Sequence, residues 1–255
     1  MKIETTVNNL IKIVNDLSIS KRHYQVFKKL IEICSITEHQ RAYHFGGKEK
    51  DESYNILEKR YLELVKKDTP ETEKSLIVKF YSELFNFFLS GNYADILGVI
   101  YHKLELSNKN TGQFFTPYHI SEFMAEISME AVQKTIDKQG YFTVSDPCVG
   151  AGGMVIAAAS VLNKRNITKD AMIFQAIDID ELCFYMSYTQ LSMLGLSGVV
   201  VWGDSLSLNK FSSRKTPALI LAENETNKAF VNRFEEIRPI QTTNYLPASE
   251  QLNLF

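Results

Sequence analysis

A chain of 255 residues with 45% hydrophobic residues and a formal net charge of −2 suits one large folded domain or two small ones. It excludes a globally basic surface, so DNA contact would need a local basic patch or another subunit. No apolar run is long enough to span a bilayer, MKIETTVNNL lacks a signal-peptide pattern, and the far-apart Cys34, Cys148 and Cys183 give neither a disulfide framework nor zinc spacing, which makes a reducing cytoplasm the expected location.

Residues 1–110 read as helices. Segment 21–34 places Tyr24, Phe27, Leu30 and Ile31 on one stripe, and 53–67 does the same with Ile56, Leu57, Tyr61, Leu64 and Val65. Segment 73–89 is apolar over a wider arc, which predicts deeper burial. Gly46-Gly47 and Asp68-Thr69-Pro70 separate these helices, Gly91 ends the third, and 95–106 is the next. The basic residues here (Lys21, Arg22, Lys28, Lys29, Lys48, Lys50) are interleaved with acids and read as a solvated face. His39 and His44 lie near one another without the further ligands a metal requires.

From 111 the texture changes. TGQFFTP (111–117) reads as a loop in which Thr116-Pro117 starts a helix. Segment 119–136 is that helix, with Ile120, Phe123, Met124 and Ile127 expected inward. Three strand–helix steps follow. The first strand holds the apolar run 141–144, ends at Asp146 and passes through the turn DPCVGAGG (146–153) into an Ala-rich helix. The second strand spans 172–180 and is followed by a helix over 181–195. The third, within 198–206, ends at Asp204, and ALILA (218–222) is a fourth strand. This alternation predicts an α/β fold with a mostly parallel sheet of about four strands, helices on both faces, and a ligand at the carboxyl ends of the strands.

The glycine turn carries the chemistry. Gly150, Gly152 and Gly153 have no Cβ, so backbone can approach a ligand closely, and the next helix points its free N–H groups at the same place. Asp146, Asp178 and Asp204 stand at three successive strand ends. One such Asp alone reads as a helix cap or a solvated turn; three in order read as a nucleoside site, with Asp178 placed to hold ribose hydroxyls. The turn is G-A-G-G, not the dinucleotide pattern G-x-G-x-x-G, and there is no G-x-x-x-x-G-K-[ST]. A short turn of this kind suits S-adenosylmethionine.

TGQFFTP, DPCVGAGG, AIDID and GDSL, in that order, resemble the N6-adenine DNA methyltransferases of the type I restriction-modification kind, and DILGVIYHKLEL just upstream is similar to a helix of that family. The resemblance covers roughly residues 91–222 and implies an incomplete Rossmann-like methyltransferase sheet. It implies that Gln113, Phe115, Thr116 and Pro117 cradle the methionine end of the cofactor. Asp146, Gly150 and Gly152 would line its middle, Asp178 would hold the ribose, and Asp204 with Leu206 would frame the adenine. Core packing is the competing role for one of Phe114 and Phe115, and close helix–strand packing the competing role for Gly153.

One departure matters. In that family the fourth strand ends in Asn/Asp-Pro-Pro-aromatic, which orients the target amine and stacks on the flipped base. Here ALILA runs into Glu223-Asn224-Glu225-Thr226, and the pattern occurs nowhere in the chain. Asn224, displaced by one residue, is the only catalytic candidate the segment offers. Only 33 residues follow Ala222, where the family pattern needs further strands of ~30 residues per crossover unit. The expected organisation is a helical region over 1–110, a cofactor-binding domain over 111–222, and a short helix (227–237) with a flexible tail over 223–255. The tail ends in Gln251-Leu252-Asn253-Leu254-Phe255, which resembles the bacterial sliding-clamp-binding peptide, with Gln251 at a pocket rim and Leu252, Leu254 and Phe255 buried. The competing reading docks the tail on its own domain. Two functions are therefore expected: a DNA adenine-N6 methyltransferase working with a partner, or a catalytically silent S-adenosylmethionine-binding module acting through DNA or the clamp.

Overall fold

The computed structural model describes residues 2–18, 22–106 and 115–224. Gln113, Phe114, the helix expected over 227–237 and the peptide 251–255 lie outside the described residues. The helical region contains α1 (Ile3–Leu17), α2 (His23–His44), α3 (Glu52–Leu64), α4 (Glu71–Leu89) and α5 (Ile96–Lys103). Then come α6 (Tyr118–Ser128), α7 (Val132–Gln139), β1 (Phe142–Asp146), α8 (Gly153–Lys164), β2 (Met172–Asp178), α9 (Glu181–Met193), β3 (Ser197–Asp204), β4 (Asn209–Lys215) and α10 (Pro217–Asn224).

The sheet has four strands in the order β1-β2-β3-β4, the first three parallel and the last antiparallel to β3. This is the expected mostly parallel, Rossmann-like α/β architecture, with one correction. ALILA is not the fourth strand: it lies in α10. Pro217 occupies the first helical position, where its missing N–H costs nothing, and Ala and Leu propagate a helix well. A five-residue apolar run cannot distinguish the two states by periodicity. The fourth strand is instead the polar NKFSSRK, folded back along β3 as an edge. Right-handed crossovers between strands added in one direction put α8 and α9 on the same face, and these helices touch.

The helical region and the sheet share one apolar core, running from Val7 and Leu10 through Phe27, Phe80 and Phe87 to Phe174, Ala176 and Val200. Its centre is α2, which packs along α9. Periodicity alone ends this helix at Cys34, but it continues to His44 through a stretch that includes the buried polar residues Ser35, Glu38, His39 and Gln40. The buried carboxylates of α2 are paired. Arg60 donates to both oxygens of Glu32 at 2.6 and 3.0 Å, a fork geometry that sustains a buried carboxylate. Tyr81 donates to Glu38 at 2.7 Å.

His39 is held between two hydroxyls. Tyr188 donates its hydroxyl hydrogen to the Lys215 carbonyl at 3.0 Å, so it can only accept from His39 Nδ1 at 3.1 Å. Nε2 is then the acceptor for the Ser53 hydroxyl at 3.1 Å. The chain of donors fixes a neutral imidazole in a single tautomer. Burial, with the Arg214 charge second, holds its pKa down at about 4.

A second buried amide joins the helical region to the glycine turn. Gln190 of α9 is fully buried. Its Oε1 accepts the Leu97 N–H at 3.0 Å, and its Nε2 donates to Asp95 Oδ1 at 2.9 Å and to the Ala151 carbonyl at 2.7 Å. One side chain thus fixes the start of α5, the glycine turn and α9 relative to one another.

Two outcomes follow from these networks. The unfolded imidazole protonates near 6.5 and the folded one near 4, so the stability it supports is whole above pH 6.5 and is lost as pH falls toward 4, by about 3 kcal/mol. In urea titrations at stepped pH, the advantage of the wild type over His39→Gln narrows across that interval. Comparing the two proteins isolates the imidazole from Glu38 and Asp95, whose burial-raised pKa values act with the opposite sign. Gln190→Leu orphans the Leu97 amide, the Ala151 carbonyl and a lone pair of Asp95, and lowers the unfolding free energy by about 4 kcal/mol in chemical denaturation.

Candidate functional site

β1 delivers its last residue, Asp146, to the carboxyl edge of the sheet, and the chain turns there. Asp146 Oδ1 accepts the Cys148 N–H at 3.1 Å. Three bonds from neighbouring elements then pin successive residues of the turn. The Val149 N–H donates to the Ile177 carbonyl at 2.9 Å, the Gly150 N–H donates to Asp178 Oδ2 at 2.8 Å, and the Ala151 carbonyl accepts from Gln190 at 2.7 Å. Gly150 has φ +55°, a left-handed conformation that costs a side chain roughly 1–2 kcal/mol. A Cβ there would also lie 3.0 Å from the Phe115 ring, so the glycine lets that ring lie on the turn. Phe115 in turn packs against Tyr101 and His102, with ring centroids 5.0 and 5.2 Å away.

A cavity of about 470 Å³ opens between this turn, β1 and α6. It gathers Phe115, Thr116, Asp146 and Gly150, with Gly153 of the glycine turn, all named from sequence, and adds Asp95 and Ser121. Burial pushes the Asp146 carboxyl above its ordinary range. Cys148 also lines the space and is exposed, whereas Cys34 and Cys183 are buried.

The other expected residues stand elsewhere. Gly152 has φ +103° and caps α8; a Cβ there would meet Ser187 and Leu191 of α9 at 3.6 Å. Gly153, for which close helix–strand packing was the competing role, faces the cavity. Pro117 caps the start of α6 and receives the Ile120 and Ser121 amides on its carbonyl at 2.8 and 3.2 Å. Asp178 is buried beneath the turn, with Oδ1 accepting the Asp180 amide at 2.9 Å and Oδ2 the Gly150 amide. Burial raises its pKa as well. Asp204 is in an open turn, accepting from the Leu206 amide at 2.9 Å and the Ser207 hydroxyl at 2.6 Å. Those bonds, the hydroxyl first, hold its carboxyl below the usual range. Leu206 is 94% exposed. Asn224 is the last residue of α10, which packs on α2 and β3, so it does not stand at a strand end.

The strand register explains this spread. Asp146 is opposite Ala176, two residues before Asp178, and Asp178 is opposite Trp202, two residues before Asp204. Each carboxylate therefore stands about 6–7 Å further along the strand direction than the one before.

The helix that walls the cavity is turned relative to expectation. Ile120, Phe123, Met124 and Ile127 are not inward: Phe123 is 64% and Ile127 60% exposed, and the other two are also exposed. Ser121 and Ala125 face α8 instead. On α8, Gly153 and Ala158 line the same cavity as Ser121 and Ala125, and small residues on both sides permit close approach. Arg165 fixes the far end by donating to the Met129 carbonyl at 2.6 Å.

Sequence reasoning did not assign Asp95, Ser121 and Gln190 to the site. Asp95 carried a readable signal, since it caps α5 by accepting the Gly98 N–H at 2.8 Å. Its position at the cavity is a product of the fold.

Comparison with known proteins gives the same direction. The type I restriction enzyme MjaIX methylase subunit of Methanocaldococcus jannaschii is 24% identical over 174 residues, covering 63% of this chain and 30% of that protein. The chain thus spans under a third of that relative's length. A crystal structure of the type I restriction-modification system methyltransferase subunit from Streptococcus thermophilus aligns over 77% of this chain and 57% of its own, with 11% identity and a TM-score of 0.39. Residues 92–249 match the N-6 DNA Methylase family, and the chain belongs to that family.

Proposed function

We propose that this chain is the S-adenosylmethionine-binding part of a DNA adenine-N6 methyltransferase, acting in the cytoplasm with a partner subunit. The observation that carries the reading is the convergence of Phe115, Thr116, Asp146 and Gly150 on one cavity of about 470 Å³, within the range of small-molecule sites. The residues present suit the cofactor. A turn without a Cβ at Gly150 leaves room beside Phe115, and the first turn of α8 has free amides. Thr116 and Phe115, with Gln113 and Pro117, would hold the methionine end. Asp146, Gly150 and Gly152 would border the middle, and Asp178, with a lone pair left on each oxygen, the ribose. Asp204 and Leu206 would frame the adenine. The bound cofactor would supply the methyl group.

A partner enters because orienting an adenine amine needs acceptors beside the methyl group. The sequence has no Asn/Asp-Pro-Pro-aromatic, and Asn224 lies on a helix. The same two facts support a second reading, a catalytically silent cofactor-binding module that acts through DNA or the replication sliding clamp. For the clamp, Gln251, Leu252, Leu254 and Phe255 would supply the bound peptide, with the apolar side chains burying surface and Gln251 bonding at the rim.

Calorimetric titration with S-adenosylmethionine is expected to give saturable binding that Asp178→Ala abolishes, and the ligand is expected to slow alkylation of Cys148. Absence of both effects in the wild type refutes the cofactor reading. Labelled methyl transfer to adenine in DNA by the same preparation eliminates the silent module, and transfer without any second subunit eliminates the partner requirement. Deleting residues 251–255 is expected to abolish co-elution with the host clamp and leave cofactor affinity unchanged; co-elution that survives the deletion removes the clamp assignment.

A further inference from the structure

The cavity continues past the glycine turn to a polar end that the assignments above do not use. Asp95 and Ser121 line it there, one from the start of α5 and the other from α6. Both are buried, Asp95 at 7% and Ser121 at 0% exposure. The two oxygens of Asp95 are not equivalent. Oδ1 accepts from the Gly98 amide at 2.8 Å and from Gln190 at 2.9 Å, which uses both of its lone pairs. Oδ2 lies 3.6 Å from the position a Cβ on Gly153 would occupy. Ser121 Oγ lies 3.6 Å from that same position, is buried, and has no hydrogen-bond partner among the described residues. A carboxylate oxygen and an orphaned hydroxyl therefore flank a space that exists because residue 153 has no side chain.

Buried polar groups are ordinarily satisfied, and an unpartnered hydroxyl beside a carboxylate asks for a ligand that can donate to both. A cation with several N–H donors fits; an anion is repelled by Asp95. We propose, resting on the S-adenosylmethionine reading, that Asp95 Oδ2 and Ser121 Oγ form the subsite for the α-ammonium group of the cofactor's amino-acid end. The site is a recognition element for an amino acid attached to a nucleoside, and it distinguishes the intact cofactor from a nucleoside thioether without that group. The neighbouring Ala125 and Met129 side chains are apolar, and limited water makes a charge-assisted bond count for more than on a surface. Burial of Asp95 raises its carboxyl pKa, outweighing the hydrogen bonds from Gln190 and Gly98.

Asp95→Asn is the direct test, because the amide keeps the Oδ1 cap and replaces the accepting Oδ2 with a donor. Calorimetry uses two probes, S-adenosylmethionine and 5′-methylthioadenosine, which lacks the amino-acid end. The expected result is a loss of about tenfold or more in affinity for S-adenosylmethionine, the size of one charge-assisted bond, with 5′-methylthioadenosine unaffected. Ser121→Ala, which removes only the orphaned hydroxyl, gives a smaller loss with the same selectivity. Equal weakening of both probes shows that Asp95 only caps α5 and overturns the subsite. So does unchanged binding of S-adenosylmethionine by either variant. If Asp95→Asn does not fold, the wild type is titrated with an analogue carrying hydrogen in place of the ammonium group, and an affinity equal to that of S-adenosylmethionine overturns the proposal. A wild type that binds neither probe refutes the cofactor reading itself, a result distinct from all of these.

Discussion

Three parts of the chain that are distant in sequence meet at a single buried amide. Gln190 can accept once through its oxygen and donate twice through its nitrogen here, and its partners come from α5, the Asp95 cap and the glycine turn. A carbonyl in the turn can stay buried only if something donates to it, so the turn's shape depends on α9 holding that donor in place. The N-terminal helices matter for the same reason. They seat α9 through α2, and α5 brings the other two groups that Gln190 satisfies. The cavity at the glycine turn is thus built jointly by the strand-and-turn unit and a helical layer from the other end of the sequence.

The sheet gives the cavity its unusual border. In a sheet whose strand order reverses, the ligand crevice lies between two strands whose helices leave on opposite faces. Here the order runs one way among the described residues, and β1 has a single strand neighbour. The wall that a second strand would supply is formed by α6 and Phe115. One side of the space is therefore helical and aromatic, with only β1 and its turn behind it.

The strand–turn–helix units were legible because they carry local signals. Asp146, the glycines and the Ala run follow one another within twenty residues, and the family resemblance rested on those same residues. What was not legible depended on long-range pairing. Segment 35–44 of α2 reads as polar because its partners, Glu58, Tyr81 and Tyr188, come from other elements. β4 has few apolar residues because it is an edge, and it is anchored by the contact between Phe211 and Trp202, with ring centroids 5.4 Å apart, and by Arg214, which donates to Ser35 and lies over Phe184 and Tyr188. ALILA failed as a strand for a local reason, the proline at its start. The carboxylates were assigned to the right edge of the sheet, but their stagger is a property of register, which no single strand encodes.

The orientation of α6 has one more consequence. Its small residues face the protein and its large apolar ones face water, the reverse of an ordinary surface helix. Since Ile120, Phe123 and Ile127 contribute little to the chain's own core and do not line the cavity, polar replacements there would leave the melting temperature almost unchanged. Their greasy character acts instead on colloidal behaviour: it makes the isolated chain stickier than its net charge suggests.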